Sequence, residues 1–284
     1  VERVCLEATG TYHLDLALAL QEAGLAVMTV NPKAARRFAE ALLTRGKSDA
    51  VDAGVLAAFA QRMPFEPWQP PSGAALQLRA CARRLGEGVE ARTRAKNQLH
   101  AASQSRTTPS VVLEDIRLSI AQVQAQIEAL RAWAVGFVQA DAALAEVYTH
   151  LTTVKGIAAA SAVRLMGELL VLPPELSAKQ WVAHAGLDPQ QARSGTSVHT
   201  PARLSKAGNR YLRKALYMPA LSATRHEPHV HGYYRHLIDT RGLKKLQALC
   251  AVMRKLLHAL HGMLKTRSAF DGRRFYQPAP ASAA

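Results

Sequence analysis

The sequence has few cysteines and lacks any long apolar run. Its three cysteines, Cys5, Cys81 and Cys250, lie far apart among 284 residues and form no Cys-x-x-Cys pair. This usage indicates a reducing compartment and argues against a disulfide framework or a zinc site. No stretch of about eighteen uninterrupted apolar residues occurs, and the chain does not start with a basic segment followed by a long apolar one. We therefore predict a soluble, cytoplasmic protein.

Two familiar catalytic signatures are also missing. The sequence has neither a Gly-x-Ser-x-Gly elbow nor a Gly-x-x-x-x-Gly-Lys-Ser/Thr loop. Without them, an α/β-hydrolase or a nucleotide hydrolase loses its usual support.

Acidic residues are scarce in the last third of the sequence. Between Arg193 and Arg274 lie seventeen of the 36 Lys and Arg residues but only three of the 21 Asp and Glu residues, so this stretch carries +14 of the formal net charge of +15. A cationic surface of this kind neutralises nucleic-acid phosphates and releases their counterions. We predict a polynucleotide as the partner.

Aromatic and histidine side chains accompany this basic stretch. Tyr233 and Tyr234 could stack on exposed bases or pack in the core. The nearby histidines have no cysteine partners, so phosphate or surface contacts are favoured over a zinc site. These histidines are His226, His229, His231 and His236.

The start of the chain shows strands that alternate with helices. Residues 1–6 and 25–30 are apolar runs typical of buried strands, and helices are predicted over 12–23, from about Lys33, and over about 49–62. This alternation predicts an α/β layer with parallel strand pairing. The chain begins with Val1 directly in a predicted strand, so we expect that upstream sequence is missing.

Three carboxylates could form a metal site in this layer. Glu7 follows the first strand at its carboxyl end, where open α/β sheets bind ligands. Asp49 and Asp52 are three residues apart and share one helix face. Mg²⁺ prefers oxygen ligands and keeps positions open for phosphate oxygens, so these residues suggest metal-dependent chemistry on a phosphodiester. The simpler interpretation of the Asp pair is a solvated helix face.

A proline-rich stretch, residues 64–71, divides the chain, because its four prolines exclude a helix interior. Helices are predicted beyond it over 74–105 and 110–138. The simplest arrangement of these two is an antiparallel coiled-coil hairpin that serves as a dimerisation arm. Two helices of one compact bundle are the alternative.

The C-terminal part is predicted to be mainly helical. Residues 154–157 form a Gly-containing turn before an Ala-rich helix that ends at Leu170, and such a turn can present N–H groups to a phosphate. A short helix over 179–184 is followed by a polar loop over 191–197 and a basic turn over 203–209. Further helices are predicted over 210–225 and on to about 266, and the Pro/Ala-rich tail, 277–284, is predicted to be disordered.

Ser194 is the candidate nucleophile. It lies in the polar loop between Arg193 and Gly195, ahead of the basic turn. A serine hydroxyl needs a base, a metal or positive charge to favour its alkoxide, and arginines stabilise charge on a phosphorane-like transition state. Composition alone would leave Ser194 an ordinary loop residue.

Several motifs occur in an order typical of one known family. They are LEATGTY at 6–12, VNP at 30–32, KSDAVDA at 47–53, VKGI at 154–157, AGLDP at 185–189, SG at 194–195 and LSKAGNRYLR at 204–213. The ordered set resembles the DEDD transposases of the insertion-sequence one-ten family, relatives of the Piv-type DNA invertases. The first half resembles their RuvC-type, RNase H-like domain.

The resemblance implies a recombinase that joins a RuvC-like metal site to a nucleophilic serine in a separate domain, guided by a structured bridge RNA. Carried over by motif, Glu7, Asp49 and Asp52 are three of four acidic Mg²⁺ ligands, and Ser194 is the nucleophile. The fourth ligand, an aspartate, lies in the family on an N-terminal strand that this chain lacks. That departure implies an incomplete metal site.

Two smaller points qualify the resemblance. Ser205 is the fallback nucleophile, and Ser197 is a more distant candidate. Ala158 stands where the family usually has a glycine after Gly-Ile, which weakens the prediction of a helix-hairpin-helix at residues 154–158.

The whole sequence predicts four parts: a RuvC-like α/β remnant over 1–70, a helical coiled-coil arm over 71–145, a mainly α serine transposase domain over 146–276, and a tail over 277–284. The predicted partners are DNA, a guide RNA and further copies of the chain, in a homodimer or a dimer of dimers. The predicted nucleic-acid contacts are Arg193, Arg203, Lys206, Asn209, Arg210, Arg213 and Lys214. The alternatives are a RuvC-type nuclease or junction resolvase, in which water attacks, and a non-catalytic nucleic-acid-binding remnant.

Overall fold

A computed structural model describes residues 3–10, 12–44, 46, 48–194 and 198–277; for residues 191–194 and 198–202 it describes the backbone alone. The chain divides into two compact units at Pro70. Within the described residues the structure is mostly helical, with two sheets of two strands each. No helix of this described part is both long and apolar enough to cross a membrane.

The N-terminal unit is built on a parallel strand pair. Strand β1 (Arg3–Glu7) pairs with β2 (Ala26–Val30), with Arg3 opposite Ala26 and Glu7 opposite Val30. Parallel strands need a long crossover connection, which helix α1 (Tyr12–Glu22) provides. The parallel pairing predicted from the alternation of strands and helices is confirmed.

Two more helices complete this unit. Helix α2 (Pro32–Ala41) starts at a proline, which suits a first turn, and α3 (Asp49–Arg62) packs against both α2 and β1. The buried cluster of the unit is small and comprises Met28, Val30 and Ala35, with Phe59 of α3 packed against it. Few buried apolar side chains therefore hold the elements of this unit together.

The C-terminal unit begins with a long helical hairpin. Helix α4 (Gly73–Ser103) and helix α5 (Ser110–Gln139) match the two predicted helices within two residues at each end. They run antiparallel, since Cys81 contacts Leu130 and Arg92 contacts Gln124. Helix α4 also packs against α7 (Ala159–Leu169), where a Cβ on Gly167 would lie only 2.7 Å from Ala82 Cβ. The division of residues 71–276 into an arm and a serine domain stays a prediction.

The elements that follow α5 form a large core, mainly through α7, α9 and α11. In chain order they are α6 (Ala142–Thr152), α7, α8 (Ala178–His184), β3 (Pro189–Ser194), β4 (Val198–Leu204), α9 (Arg210–His226), α10 (Pro228–Asp239), α11 (Lys245–Thr266) and α12 (Gly272–Phe275). The fully buried side chains include Leu165, Met166, Leu216 and Leu256. The predicted helices of this region are all present, and residues 278–284 of the predicted tail lie outside the described residues.

The sequence predicted a polar loop over 191–197 and a turn that begins at 203. For the residues of these ranges that the structure describes, this prediction was wrong. Strands β3 and β4 form an antiparallel ladder that pairs Pro189 with Leu204 and Arg193 with His199. The sequence here shows no alternation of apolar and polar residues, so the usual strand signal is missing. Backbone hydrogen bonds hold such a ladder without that signal. Residues 195–197 lie outside the described part.

Candidate functional site

Glu7 lies at the carboxyl edge of the parallel strand pair. The next residue, Ala8, donates its N–H to the Val30 carbonyl at 2.9 Å, which fixes the strand end. The half-buried Glu7 side chain accepts a hydrogen bond at Oε1 from the Thr9 hydroxyl, also at 2.9 Å. Glu7 therefore lies at the carboxyl edge of the strand pair, which is the position predicted for it as a metal ligand.

Asp49 and Asp52 lie in the first turn of α3. Ser48 caps this helix, because its Oγ accepts from the Val51 N–H at 3.3 Å. Both aspartates are exposed. Carboxylates in a first turn interact favourably with the positive end of the helix dipole, so the pair stabilises α3 whether or not it binds a metal.

The three carboxylates are not brought together as one group. Glu7, Asp49 and Asp52 are all described, and among the described residues no group of three or more His, Cys, Asp and Glu side chains is placed to hold a metal ion. Their oxygen atoms are the donors that Mg²⁺ prefers, but a complete site needs them to converge. In the described part of the chain, the three carboxylates therefore do not form a magnesium site.

Ser194 is the last residue of β3. Its backbone lies opposite Val198, the first residue of β4, at the open end of the ladder. The side chains of Ser194 and of the predicted contact Arg193 lie outside the described part of the chain. The backbone position of Ser194 is therefore known, whereas its role as the nucleophile stays a prediction.

The other end of the β3–β4 ladder is closed by Asp188 and Ser205. The Ser205 N–H donates to the Asp188 carbonyl at 3.0 Å, and the Ser205 hydroxyl donates to Asp188 Oδ1 at 2.6 Å. A hydrogen bond to a carboxylate is stronger than one between neutral groups. Ser205, the fallback nucleophile, thus has a structural contact that the sequence did not predict.

A tight turn joins this ladder to α8 and α9. The Lys206 N–H donates to the Gly186 carbonyl at 3.2 Å, and the Asn209 N–H donates to the His184 carbonyl at 2.6 Å. Gly208 has φ +140°, and a Cβ there would collide with the His184 carbonyl oxygen. Only glycine fits this close approach of two backbones.

Asn209 uses both ends of its side chain inside the protein. Its Oδ1 caps α9 by accepting from the N–H groups of Tyr211 and Leu212 at 2.9 and 3.1 Å. Its Nδ2 donates to Glu168 Oε2 at 2.6 Å. Asn209 was predicted to contact nucleic acid, but its amide is engaged in these internal bonds.

Glu168 of α7 is a buried carboxylate that sequence reasoning missed. It is 2% exposed and receives two bonds from Arg83 of α4, from Nε at 2.8 Å and from Nη2 at 3.1 Å. The guanidinium of Arg83 also lies 4.4 Å from the centre of the Tyr211 ring. The only signal in the sequence was one glutamate within a largely apolar run, residues 162–172.

Burial and charge set the protonation of this cluster. Burial acts to lower the pKa of Arg83, but its hydrogen bond to Glu168 and the nearby negative charge raise that pKa overall, so Arg83 stays cationic. Burial lowers the pKa of His184, although the charge of Glu168 opposes the shift. His184 is therefore neutral at pH 7, and its Nε2 lies 3.3 Å from Asn209 Nδ2.

The other predicted nucleic-acid contacts fall into two groups. Arg203, Lys206 and Arg210 are exposed. Arg213 instead donates from Nη1 to the Ala185 carbonyl at 2.7 Å, and Lys214 pairs with Glu90 at 2.6 Å. Arg203 and Lys206 present positive charge beside the turn that leads into α9, and Arg210, which donates to the Tyr211 hydroxyl at 3.1 Å, adds its charge at the start of that helix.

Two protein-family models match this chain. A model of the DEDD domain of IS110 elements, described as Transposase, matches residues 2–105, which include Glu7, Asp49 and Asp52. A second model, described as Transposase IS116/IS110/IS902 family, matches residues 148–235, which include Ser194.

Individual relatives agree with these matches. The chain is 28% identical over 271 residues to the pilin gene-inverting protein of Moraxella bovis, covering 94% of this chain and 81% of that one. It is 28% identical over 275 residues to the protein of the same description from Moraxella lacunata, with the same coverage. An insertion element IS110 protein of Streptomyces coelicolor is 28% identical over 166 residues, 58% of this chain and 40% of its own length.

These matches show that the chain is a transposase, an enzyme that acts on DNA. It belongs to the IS110 family of DEDD transposases, the insertion-sequence one-ten family, and is of the Piv-like kind.

Proposed function

We propose that this transposase exchanges DNA strands for an insertion sequence with Ser194 as the nucleophile. The Ser194 Oγ attacks a DNA phosphorus, and an O–P bond forms as the bond from phosphorus to the leaving deoxyribose oxygen breaks. The serine proton passes to a base, and the leaving oxygen takes up a proton. The phosphoserine ester keeps the energy of the broken bond, so a deoxyribose hydroxyl of another strand can reverse the step.

The position of Ser194 at the end of the β3–β4 ladder is the main support for this proposal. The ladder fixes the backbone of Ser194, and the Asp188–Ser205 bonds fix the other end of the ladder. A nucleophile acts efficiently only when its supporting elements hold it in place. A short ladder closed at its base meets that requirement better than the free loop predicted from the sequence.

Exposed cations near the start of α9 would dock the DNA. Arg203, Lys206 and Arg210 follow Ser194 closely in sequence and present their charges to solvent. Lys and Arg side chains bind phosphates with little dependence on base sequence. We propose that these three hold the DNA backbone while Ser194 attacks it.

The partners of the chain are DNA, a structured guide RNA and further copies of the chain. The basic stretch over residues 193–274 suits either nucleic acid. Exposed apolar residues on α5, among them Val111, Leu118 and Trp133, support a dimer formed through the α4–α5 hairpin. We also propose a cytoplasmic location, where the free thiols of Cys5, Cys81 and Cys250 stay reduced.

DEDD transposases typically use a divalent metal, and Glu7, Asp49 and Asp52 are the proposed Mg²⁺ ligands. They can bind one ion together only if their carboxylates converge, and among the described residues they form no such group. Calorimetric titration of Mg²⁺ into the chain and into the Asp49→Asn/Asp52→Asn variant tests this. Binding heat that the variant loses supports the proposal, provided that the control Asp15→Asn/Glu22→Gln keeps it. Equal traces for all three proteins contradict it.

The second candidate is a transposase chain that, by itself, binds nucleic acid without catalysing strand exchange. Glu7, Asp49 and Asp52 form no three-ligand group among the described residues, and this observation favours the second candidate. It predicts tight binding of DNA with no covalent product.

Trapping of a covalent protein–DNA product separates the two. The chain is incubated with a plasmid that carries its own gene and flanking DNA, denatured, and resolved by electrophoresis. We expect an adduct that Ser194→Ala abolishes while DNA binding is nearly unchanged, because the hydroxyl adds little to docking. Ser197→Ala is the matched control, and Ser205→Ala tests the fallback nucleophile. An adduct that survives Ser194→Ala but not Ser205→Ala contradicts the assignment, and cleavage without any adduct favours attack by water.

A further inference from the structure

A groove lies between α9, α10 and α11, and none of the residues assigned to strand exchange lines it. Its volume is about 720 Å³. Helix α9 contributes Tyr217, Leu221, Thr224 and Arg225; α10 contributes His231, Tyr234, Arg235 and Ile238; α11 contributes Lys245, Leu246 and Leu249. The groove therefore combines apolar, aromatic and basic side chains on three helices.

The charged side chains of the groove are all positive. Arg225, Arg235 and Lys245 are exposed, and no acidic residue is found among the described residues that line it. Arg235 pairs with Asp239 at 3.0 Å, but both side chains are about half exposed. Such surface pairs are weak, so Arg235 can exchange this partner for an anion.

The apolar part of the groove offers flat surfaces. Tyr217 is 40% exposed on α9, and Tyr234 is half-buried on α10. Leu221 and Leu249 line the same groove, and Leu249 is buried in the core. An exposed aromatic side chain in a groove that apolar side chains also line suits the face of a nucleic-acid base, since every base has a π face that stacks on aromatic side chains.

His231 adds a polar group with a defined direction of bonding. Its Nδ1 lies 2.8 Å from the Thr224 carbonyl oxygen, which can only accept. Nδ1 therefore holds a proton, and in the neutral ring Nε2 is the acceptor. A base edge with an N–H group supplies the matching donor.

We propose that this groove binds an unpaired stretch of nucleic acid, with bases on Tyr217 and Tyr234 and phosphates on Arg225, Arg235 and Lys245. A duplex is excluded because its bases are already stacked and paired. A protein partner fits less well, because interface cores are depleted of charge and three cations would need acidic partners. The proposal goes beyond strand exchange and does not depend on Ser194.

The base-stacking part is tested with a fluorescent twelve-residue oligothymidine and its duplex with oligodeoxyadenosine, by anisotropy. Tyr217→Ala should weaken binding of the single strand about tenfold, the loss of one stacked base, while Tyr217→Phe keeps the ring and the affinity. The duplex should be affected little by either variant. Tyr12→Ala is the control, since Tyr12 is a tyrosine that is 89% exposed in the other unit.

The contribution of the positive charges is tested with two lysines of α11. Lys245→Gln should lower the slope of log affinity against log salt for the single strand by about 0.7, the value for one lost phosphate contact. Lys265→Gln removes an equal charge from an exposed position of α11 outside the groove and should leave the slope unchanged.

Three results overturn the proposal. One is an equal loss for Tyr217→Ala and Tyr12→Ala, and another is an equal loss of single strand and duplex. The third is unchanged oligothymidine binding together with loss of self-association in sedimentation of Tyr217→Ala, which would identify the groove as an interface between copies. Ser194→Ala should bind the oligothymidine like the wild type, so failure of strand exchange and failure of the groove remain distinguishable.

Discussion

Glu168 of the C-terminal unit is held in the opposite way from the aspartate pair of the N-terminal unit. In the N-terminal unit, Asp49 and Asp52 are exposed in the first turn of a helix. In the C-terminal unit, Glu168 is buried and bonded to Arg83 and Asn209. A buried carboxylate must stay paired because removing it from water is costly, whereas an exposed one can change partners. Asp49 and Asp52 can therefore exchange partners, whereas Glu168 is committed to the fold.

The two units also differ in what holds their elements together. The N-terminal cluster comprises Met28, Val30 and Ala35, while the C-terminal core extends over α4 to α12. Regions with few buried apolar contacts open and rearrange at lower cost. The carboxylates at Glu7 and α3 can therefore shift more easily than the buried cluster at Glu168.

The largest expected effect concerns charge, because the C-terminal unit holds most of the positive charge. With about six to ten phosphate contacts, DNA affinity should fall roughly 10³- to 10⁵-fold between 50 and 200 mM salt. Lys206→Gln/Arg210→Gln should reduce the slope of log affinity against log salt by about 1.8. Fluorescence anisotropy with a duplex measures it.

The matched control lies in the N-terminal unit. Arg36→Gln/Arg37→Gln removes the same charge from exposed positions of α2 and should leave the slope nearly unchanged. Equal slopes for the two double variants would show that the charge near α9 is not the docking surface.

The second prediction concerns the buried carboxylate. Glu168→Gln should lower the free energy of unfolding by about 3 kcal/mol, because the largely buried Arg83 loses its charged partner. Urea unfolding measures it. Asp49→Asn, the exposed counterpart, should change stability by less than about 1 kcal/mol, since only the helix dipole is affected. Similar losses in the two variants would remove the contrast between the units.

The third prediction separates a steric clash from backbone strain. Gly208→Ala should cost about 2 kcal/mol or more, because its Cβ meets the His184 carbonyl oxygen. Gly242→Ala has a positive φ of +65° but no atom within 4 Å of its Cβ, so only about 1 kcal/mol is expected. Thermal or urea unfolding of both variants tests this, and equal costs would show that the turn at Gly208 can relax.

The smallest expected effect is a dependence of stability on pH. Burial holds the pKa of His184 below its unfolded value of about 6.5, so the unfolded chain binds the proton more readily. The contribution of His184 is complete above about pH 6.5 and is lost as pH falls through the folded pKa. Urea unfolding between pH 8 and 5 should show a shallower decline for His184→Gln than for the wild type or the exposed control His226→Gln. Parallel curves of unfolding free energy against pH for the three proteins would contradict this prediction.

Most helices and the parallel strand pair could be predicted from the sequence, whereas α6 and α12 were not predicted. The spacing of apolar residues in α5 and the Asn31-Pro32 start of α2 are local signals, and local signals decide where helices form. The β3–β4 ladder could not be predicted, because its backbone pairing is not accompanied by an apolar alternation.

The candidate site was predicted only in part. Motifs located Glu7, Asp49, Asp52 and Ser194, but whether side chains converge depends on packing between distant elements, which no local pattern records. The same limit applies to Glu168, whose partner Arg83 is 85 residues away. The bond from Asn209 to Glu168 was hidden for this reason too, since it depends on the packing of α7 against α9.

Identification of the residue that bonds to DNA tests the central claim most directly. After trapping, nuclease treatment and trypsin, the claim predicts a nucleotide on the peptide of residues 194–203, with fragment masses that place it on Ser194. Trypsin cuts after Arg193, Arg203 and Lys206, so Ser205 falls on a different peptide, residues 204–206. A nucleotide on Ser205 or Ser197, or DNA cleaved with no modified peptide at all, would contradict the assignment of Ser194 as the nucleophile.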